Sequence, residues 1–355
     1  MKKILLDNTI EELEQIVVSL NEPKFRAKQL FQALHQGKTL EQISTLPNAF
    51  VEALQKEYVG LPIAEIKRQE SVDGTIKFLF LLQDNHAIES VLMKYKYGYS
   101  VCISTQVGCR MRCEFCASGI RGLTRNLSAG ELLAQVVYIN HYLKGGLKEN
   151  RKVTNIVLMG TGEPLDNYDN VLQFLKLVNH KEGLNVSHRN ISLSTCGIVP
   201  KIKQLADEML PIVLTISLHS ATDVARRTIM PIAKRYQISE VLEACEYYYN
   251  KTGRRVVFEY ILIKHITNTP ENLKSLIKLF AKKPFHLNLI MLNEVEGKQL
   301  KKVTKDEAQA FLNELKKAGL SVTLRRTLGD DIDAACGQLR EKHLTSKKTI
   351  GENEN

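Results

Sequence analysis

Nothing in this chain is suited to crossing a membrane as a helix. No apolar run approaches the roughly 18 residues that a spanning helix needs. A secretory leader is missing as well. The opening MKKILLDNTIEELEQ is basic only briefly before acidic residues arrive, and no apolar stretch with a small-residue cleavage site follows. Both absences predict a cytoplasmic protein with no membrane partner. Low-complexity tracts and sequence repeats are also lacking, so ordinary globular domains are expected. In a reducing compartment the 7 cysteines are ligands, nucleophiles or core fillers rather than disulfides.

What is present is the composition of a soluble globular chain. Apolar residues make up 44% and charged residues 25% of 355 positions, enough for one large or two ordinary domains. The net charge of +10 suits contact with a polyanion, nucleic acid being the commonest. A generic lysine-rich surface is the alternative, and composition alone does not choose between them.

Residues 1 to about 60 read as short helices. NTIEELEQIVVSL begins with Thr9 three residues before Glu12, a capping-box pattern. EPKFRAKQLFQALHQG is bounded by Pro23 and Gly37, and its Lys24, Arg26 and Lys28 are placed to meet phosphates or simply form a solvated face. TIKFLFLL and AIESVLMKYKYGYSVCIST read as strands separated by a turn at Asp84-Asn85. Beyond residue 100, strands at 154–160, 190–195, 211–218, 255–263 and 285–292 alternate with helical segments, and LSVTLRR closes the series. About six βα units imply a parallel sheet, open or curled into a barrel.

The chemistry concentrates in VGCRMRCEFCASG, where Cys109, Cys113 and Cys116 stand in a C-x-x-x-C-x-x-C spacing with no fourth cysteine nearby. Structural zinc needs four closed ligands and usually draws them from C-x-x-C pairs. A [4Fe–4S] cluster held by three thiolates instead leaves one iron open for another ligand. Zinc and a chance core trio are the competing readings, and the spacing favours the cluster. Further along, LMGTGEP, LSTCG, ISLHS and LNE put Gly160, Gly162, Ser194, Ser217, Leu218, His219 and Asn293 at strand ends. In a βα barrel those ends line one face, where ligands bind. A structural hydrogen bond is the alternative for any single one of them.

CISTQVGCRMRCEFCASG, MGTGEPLDNYDNV, LSTCGIVP, ISLHS and GDDIDAACGQL together resemble the RlmN-type adenine-C2 methyltransferases of rRNA and tRNA, within the radical S-adenosylmethionine superfamily. The resemblance runs from about residue 20 to residue 340. It implies that the cysteine trio holds the cluster and that Gly162, Glu163, Ser194, Ser217 to His219 and Asn293 contact S-adenosylmethionine. Adenine C2 is an electron-poor carbon that polar methyl transfer cannot reach, so a radical is needed, and a protein thiol can carry the methyl. The resemblance gives the carrier role to Cys336 and product release through a transient disulfide to Cys102, with two S-adenosylmethionine molecules used per turnover. It names Glu89 as the base; an exposed strand carboxylate is the alternative there. Asp330, Asp331 and Asp333 flank Cys336, and their charge works against thiolate formation. Two departures stand out. The segment NLIMLNEVEG lacks the prolines usual after this strand, which bears on the pose of Asn293, and Cys196 replaces a frequent serine. Cys196 and Cys245 read as small buried residues.

The expected fold is therefore α/β. A small helical accessory domain with a short β segment, residues 1–94, precedes a partial (β/α) barrel of about six units over 95–340, and a polar tail occupies 341–355. The resemblance implies 23S rRNA and tRNA as substrates, a cytosolic one-electron donor such as flavodoxin, and a monomer. Unstacked bases are the accessible targets. The related C8 methyltransferases commonly carry an extra cysteine where this chain has Val107, which favours C2. A non-catalytic iron–sulfur RNA-binding protein would need neither Cys102 nor Cys336.

Overall fold

The computed structural model describes residues 1–294, 298–326, 328, 329, 331, 332 and 339. Cys336, Asp330 and Asp333 lie outside the described residues, as does the expected tail. The chain forms two compact units, one of Met1–Val107, Arg125–Thr161 and Asn167–Ile191, the other of Gly108–Thr124, Gly162–Asp166 and Ser192 onward.

The first unit starts with β1 (Lys3–Ile4), α1 (Ile10–Ser19), α2 (Phe25–His35), α3 (Asn48–Glu57) and β2 (Tyr58–Val59). The predicted capping box is present: Thr9 Oγ1 accepts from Glu12 N at 3.3 Å, and the Glu12 carboxylate accepts from Thr9 N at 2.7 Å. A meander follows, β3 (Ile63–Glu70), β4 (Ile76–Leu82), β5 (Ala87–Tyr95) and β6 (Gly98–Ile103), paired antiparallel in that order. The run expected as one strand over 87–105 breaks at Lys96 and Tyr97, where the chain reverses. Strand β3 escapes a periodicity reading because most of its side chains are exposed or half-buried, leaving no apolar alternation. Next come β7 (Gln106–Gly108), β8 (Leu123–Asn126), α4 (Ala129–Tyr142), β9 (Val153–Leu158) and α5 (Tyr168–Asn179), with β9 parallel to β6.

Helix α4 is apolar on nearly every side and buries Leu132, Leu133, Val136, Val137 and Ile139 completely. Its Tyr138 ring meets Phe80 edge-on at 5.0 Å. Gln135, also fully buried, accepts from Ser90 Oγ at 2.8 Å and Ser104 N at 2.9 Å and donates to Ser104 O at 3.0 Å. Such saturation is what makes a polar side chain tolerable inside a core.

The second unit carries the βα repeat. Its elements are β10 (Ile191–Thr195), α6 (Val199–Asp207), β11 (Val213–Ser217), α7 (Asp223–Ile229), α8 (Ile238–Thr252), β12 (Val257–Leu262), α9 (Pro270–Phe280), β13 (His286–Met291), α10 (Lys305–Lys317) and β14 (Val322–Leu324). Strands β10 to β14 pair parallel in sequence order. Five predicted strands reappear here, within a residue or two of their expected ends. Their register places Ser217, Glu259, Asn288 and Thr323 in one row across four strands. Residues paired in a sheet share a face, so this polar row lies on one face of the sheet. Thr323 Oγ1 donates to Asn288 Oδ1 at 2.6 Å, and Arg325 Nη1 donates to Glu259 Oε1 at 3.1 Å.

Candidate metal centre and cofactor site

The three-cysteine loop leaves β7 and returns in β8, both short. Cys109 N donates to Gly122 O at 2.9 Å and closes the loop mouth. Gly108 makes that closure possible: its φ is +81°, and a Cβ there would sit 2.0 Å from Gly122 O. Arg112 also takes a left-handed φ of 51°, which turns the chain between Cys109 and Cys113. Glu114 N donates to Ile229 O at 2.9 Å, fastening the loop to the end of α7.

Around this loop lies an apolar cluster of Cys196, Ile229, Met230, Ile261, Ile263 and Leu292, with Cys113 and Phe115 packed against it. Burial and the neighbouring Glu163 push the Cys109 thiol up to about 12. Burial raises Cys113 well above the ordinary thiol range, and Cys116 and Cys109 beside it raise it further. A thiol held protonated is a poor nucleophile. It is a good ligand once a metal takes its proton. Among the described residues no three His, Cys, Asp or Glu side chains converge on one single-ion position. A four-iron cube spreads its thiolates over separate irons, an arrangement that a trio on one turning loop can supply.

The strand-end residues gather on the same unit. Gly162 adopts φ +116°, a conformation that favours glycine, and leads into Glu163. Glu163 is buried and uses both carboxylate oxygens on backbone: Oε1 accepts from Leu165 N at 3.1 Å and Oε2 from Cys196 N at 2.8 Å. Burial raises its pKa above the usual carboxylate value, against the pull of those bonds. Ser194 and Ser217 face each other at 3.5 Å between their Oγ atoms. Leu218 is a core residue, and its N–H and that of His219 both donate to Glu259 O at 3.1 Å.

His219 is the most informative of the set. It has φ 57°, its ring stands edge-on to Phe115 at 4.7 Å, and it is buried. Burial and Arg226 hold its imidazole neutral, down to about 3. Among the described residues its buried Nδ1 has no hydrogen-bond partner. An orphaned polar atom beside a thiolate loop is what a site completed by a ligand leaves in the bare protein. These residues fit a cluster and a small polar cofactor. Asn293 follows β13 on exposed backbone, next to residues outside the described set.

Glu89 and Cys102 belong to the first unit, where the sheet brings them to one face. Cys102 pairs with Val91 across β5 and β6, and Glu89 sits two residues before Val91. Glu89 is buried, which overturns the reading of an exposed strand carboxylate; its Oε2 lies 3.0 Å from Lys77 Nζ. Cys196 and Cys245 are buried as expected. The basic residues at the start of α2 each meet an acid: Lys24, just before the helix, lies 3.9 Å from Glu14, Arg26 3.4 Å from Glu22 and Lys28 3.1 Å from Glu182.

Sequence reasoning missed Glu259, Arg325 and Arg226. Glu259 had a usable signal, as the one acid inside the apolar run RVVFEYILI. It is buried, and burial raises its carboxyl while Arg325 and Ser194 lower it.

Fold and site define a radical S-adenosylmethionine protein, and the model of the Radical SAM superfamily matches residues 103–280. The crystal structure of a radical SAM methyltransferase from Sphaerobacter thermophilus superposes with a TM-score of 0.90 at 37% identity, covering 95% of this chain and 98% of that one. A protein of Clostridium perfringens strain 13 named "Probable dual-specificity RNA methyltransferase RlmN" is 48% identical over 97% of this chain and 99% of its own length. One from Alkaliphilus oremlandii with the same name is 47% identical over 97% of this chain and 99% of its own. The chain belongs to this RlmN family of radical methyltransferases. The partial barrel expected from the sequence is the family's fold, and the superfamily's [4Fe–4S] cluster and S-adenosylmethionine are its implied cofactors.

Proposed function

We propose that this protein methylates C2 of adenine in 23S rRNA and, next to the anticodon, in tRNA. Cys109, Cys113 and Cys116 hold the cluster. Gly162, Glu163, Ser194, Ser217, Leu218, His219 and Asn293 form the S-adenosylmethionine site. When bound, the two cofactors supply the methyl group and a one-electron route to a carbon radical, with two S-adenosylmethionine molecules used per turnover. Cys336 carries the methyl on its sulfur and delivers it to the base. Cys102 then releases the product by closing a disulfide with Cys336, which a cellular thiol reductant reopens. Glu89 takes the C2 proton, and Lys77 beside it holds its carboxylate in place. A flavodoxin-like protein supplies the electron, and the enzyme acts as a cytoplasmic monomer.

The observation that carries this reading is the presence of two thiols beyond the trio, Cys102 and Cys336, in a chain 48% identical to proteins named as RNA methyltransferases. A cluster-bearing binding protein has no use for either. The test is mass spectrometry of digested RNA from a null strain with and without this gene, together with Cys102→Ala protein on a denaturing gel. Two results are expected: 2-methyladenine appears only with the gene, and the variant accumulates a Cys336–RNA thioether that survives thiol treatment and vanishes with ribonuclease. Normal turnover by Cys102→Ala would refute the two-thiol route, and 8-methyladenine would refute the C2 assignment.

A further inference from the structure

Arg226 is the largest fully buried side chain of the described residues and carries a charge. Among the described residues its guanidinium donates to backbone carbonyls alone. Nη2 reaches Cys196 O at 2.7 Å and Ser217 O at 3.4 Å, Nε reaches Leu218 O at 3.1 Å, and Nη1 reaches Tyr236 O at 3.5 Å. Among the described residues no carboxylate forms an ion pair with it. The nearest acid on its own helix, Asp223, accepts from Ile238 N at 2.9 Å. A buried charge left uncompensated costs several kcal/mol. Neutral carbonyls solvate the guanidinium without cancelling its charge.

The surroundings show where an anion belongs. The carbonyl taken by Nη2 is that of Cys196, whose N–H is held by Glu163 and whose side chain packs in the same apolar cluster as Cys113. Helix α7 itself is tied to the cysteine loop through Ile229 O and Glu114 N. The Cys113 and Cys196 side chains share that apolar cluster. As bare thiols these sulfurs are neutral. Iron-bound, the trio becomes anionic, and each electron added makes the site more so.

We infer that Arg226 is the electrostatic counterpart of the iron–sulfur site: a positioning residue that clamps the loops at Cys196 and at Ser217–Leu218 and raises the cluster's reduction potential. The inference rests on the cluster reading above. The direction follows from Coulomb's law in a poorly screened interior, where a fixed cation favours the more negative, reduced state. Arg227 on the same helix is exposed and makes the natural control.

The test is a spectroscopic redox titration of the anaerobically loaded full-length protein, with dithionite as the electron source. Arg226→Gln is expected to lower the reduced-to-oxidised ratio at a set potential about tenfold, which for one electron is 59 mV. Arg226→Lys, which keeps the charge, should recover most of that shift, and Arg227→Gln should show none. Loading of the lysine variant but not the glutamine variant with iron and sulfide would support the same conclusion, since lysine keeps the positive charge that glutamine lacks. A wild-type potential in Arg226→Gln, an equal shift in Arg226→Lys, or failure of both to load would overturn it. Wild-type protein without iron and sulfide would instead refute the cluster reading itself.

Discussion

Lys77 Nζ lies 3.0 Å from Glu89 Oε2 in the first unit, with side chains 0% and 4% exposed. Both project from the sheet face that also carries Cys102. A buried pair holds because each charge compensates the other, so deleting one partner leaves the survivor stranded. Lys77→Met is expected to destabilise the fold by about 3–5 kcal/mol in urea titrations. The Lys77→Met, Glu89→Leu double variant should recover much of that loss, and additive single losses would show that the two charges do not act as a pair.

Gly108 governs whether the cysteine loop closes. In Gly108→Ala the new methyl meets Gly122 O, and the left-handed φ is strained for any L side chain. Iron and sulfide after anaerobic reconstitution should fall several-fold, while Gly74→Ala, with nothing within 4 Å of its Cβ position, should load normally. Equal loading of both would show that the loop closes by another route.

His219 offers a buried Nδ1 with no partner among the described residues. His219→Leu should weaken S-adenosylmethionine binding about tenfold, or about 1.4 kcal/mol, with cluster content unchanged. Equilibrium binding of labelled cofactor to loaded protein checks this. Unaltered affinity would remove His219 from the cofactor site.

His35 sets a pH limit on the first unit. It is fully buried, its Nδ1 accepts from Leu184 N at 3.4 Å, and burial lowers it to about 3. In the unfolded chain a histidine titrates near 6.5. Between those values the unfolded chain binds a proton that the folded one refuses, so stability is full above pH 6.5 and falls as pH drops toward 3. The loss is on the order of 1 kcal/mol per pH unit for this group. Denaturant midpoints at pH 7.5 and 5.5 should differ less in His35→Gln than in wild type; an identical dependence would exclude His35 as a source.

The cysteine spacing, the capping box at Thr9 and the βα alternation after residue 100 were readable because each is a local rule. Ligand spacing, cap chemistry and side-chain period act over a few residues, and a chain displays them before it folds. Membership in the RlmN family was equally legible from its motifs. Strand β3 was not, because an exposed edge strand shows no apolar period. Nor was Arg226, since nothing in VARRTI marks which arginine is inside. Only packing decided that Arg226 continues the buried stripe to Ile229 while Arg227 faces solvent. The tertiary structure likewise turned Glu89 inward onto Lys77 and set Glu163 against Cys196, contacts between residues 12 and 33 positions apart. Burial and long-range pairing are properties of the folded surface removed from water, and no window of sequence contains them.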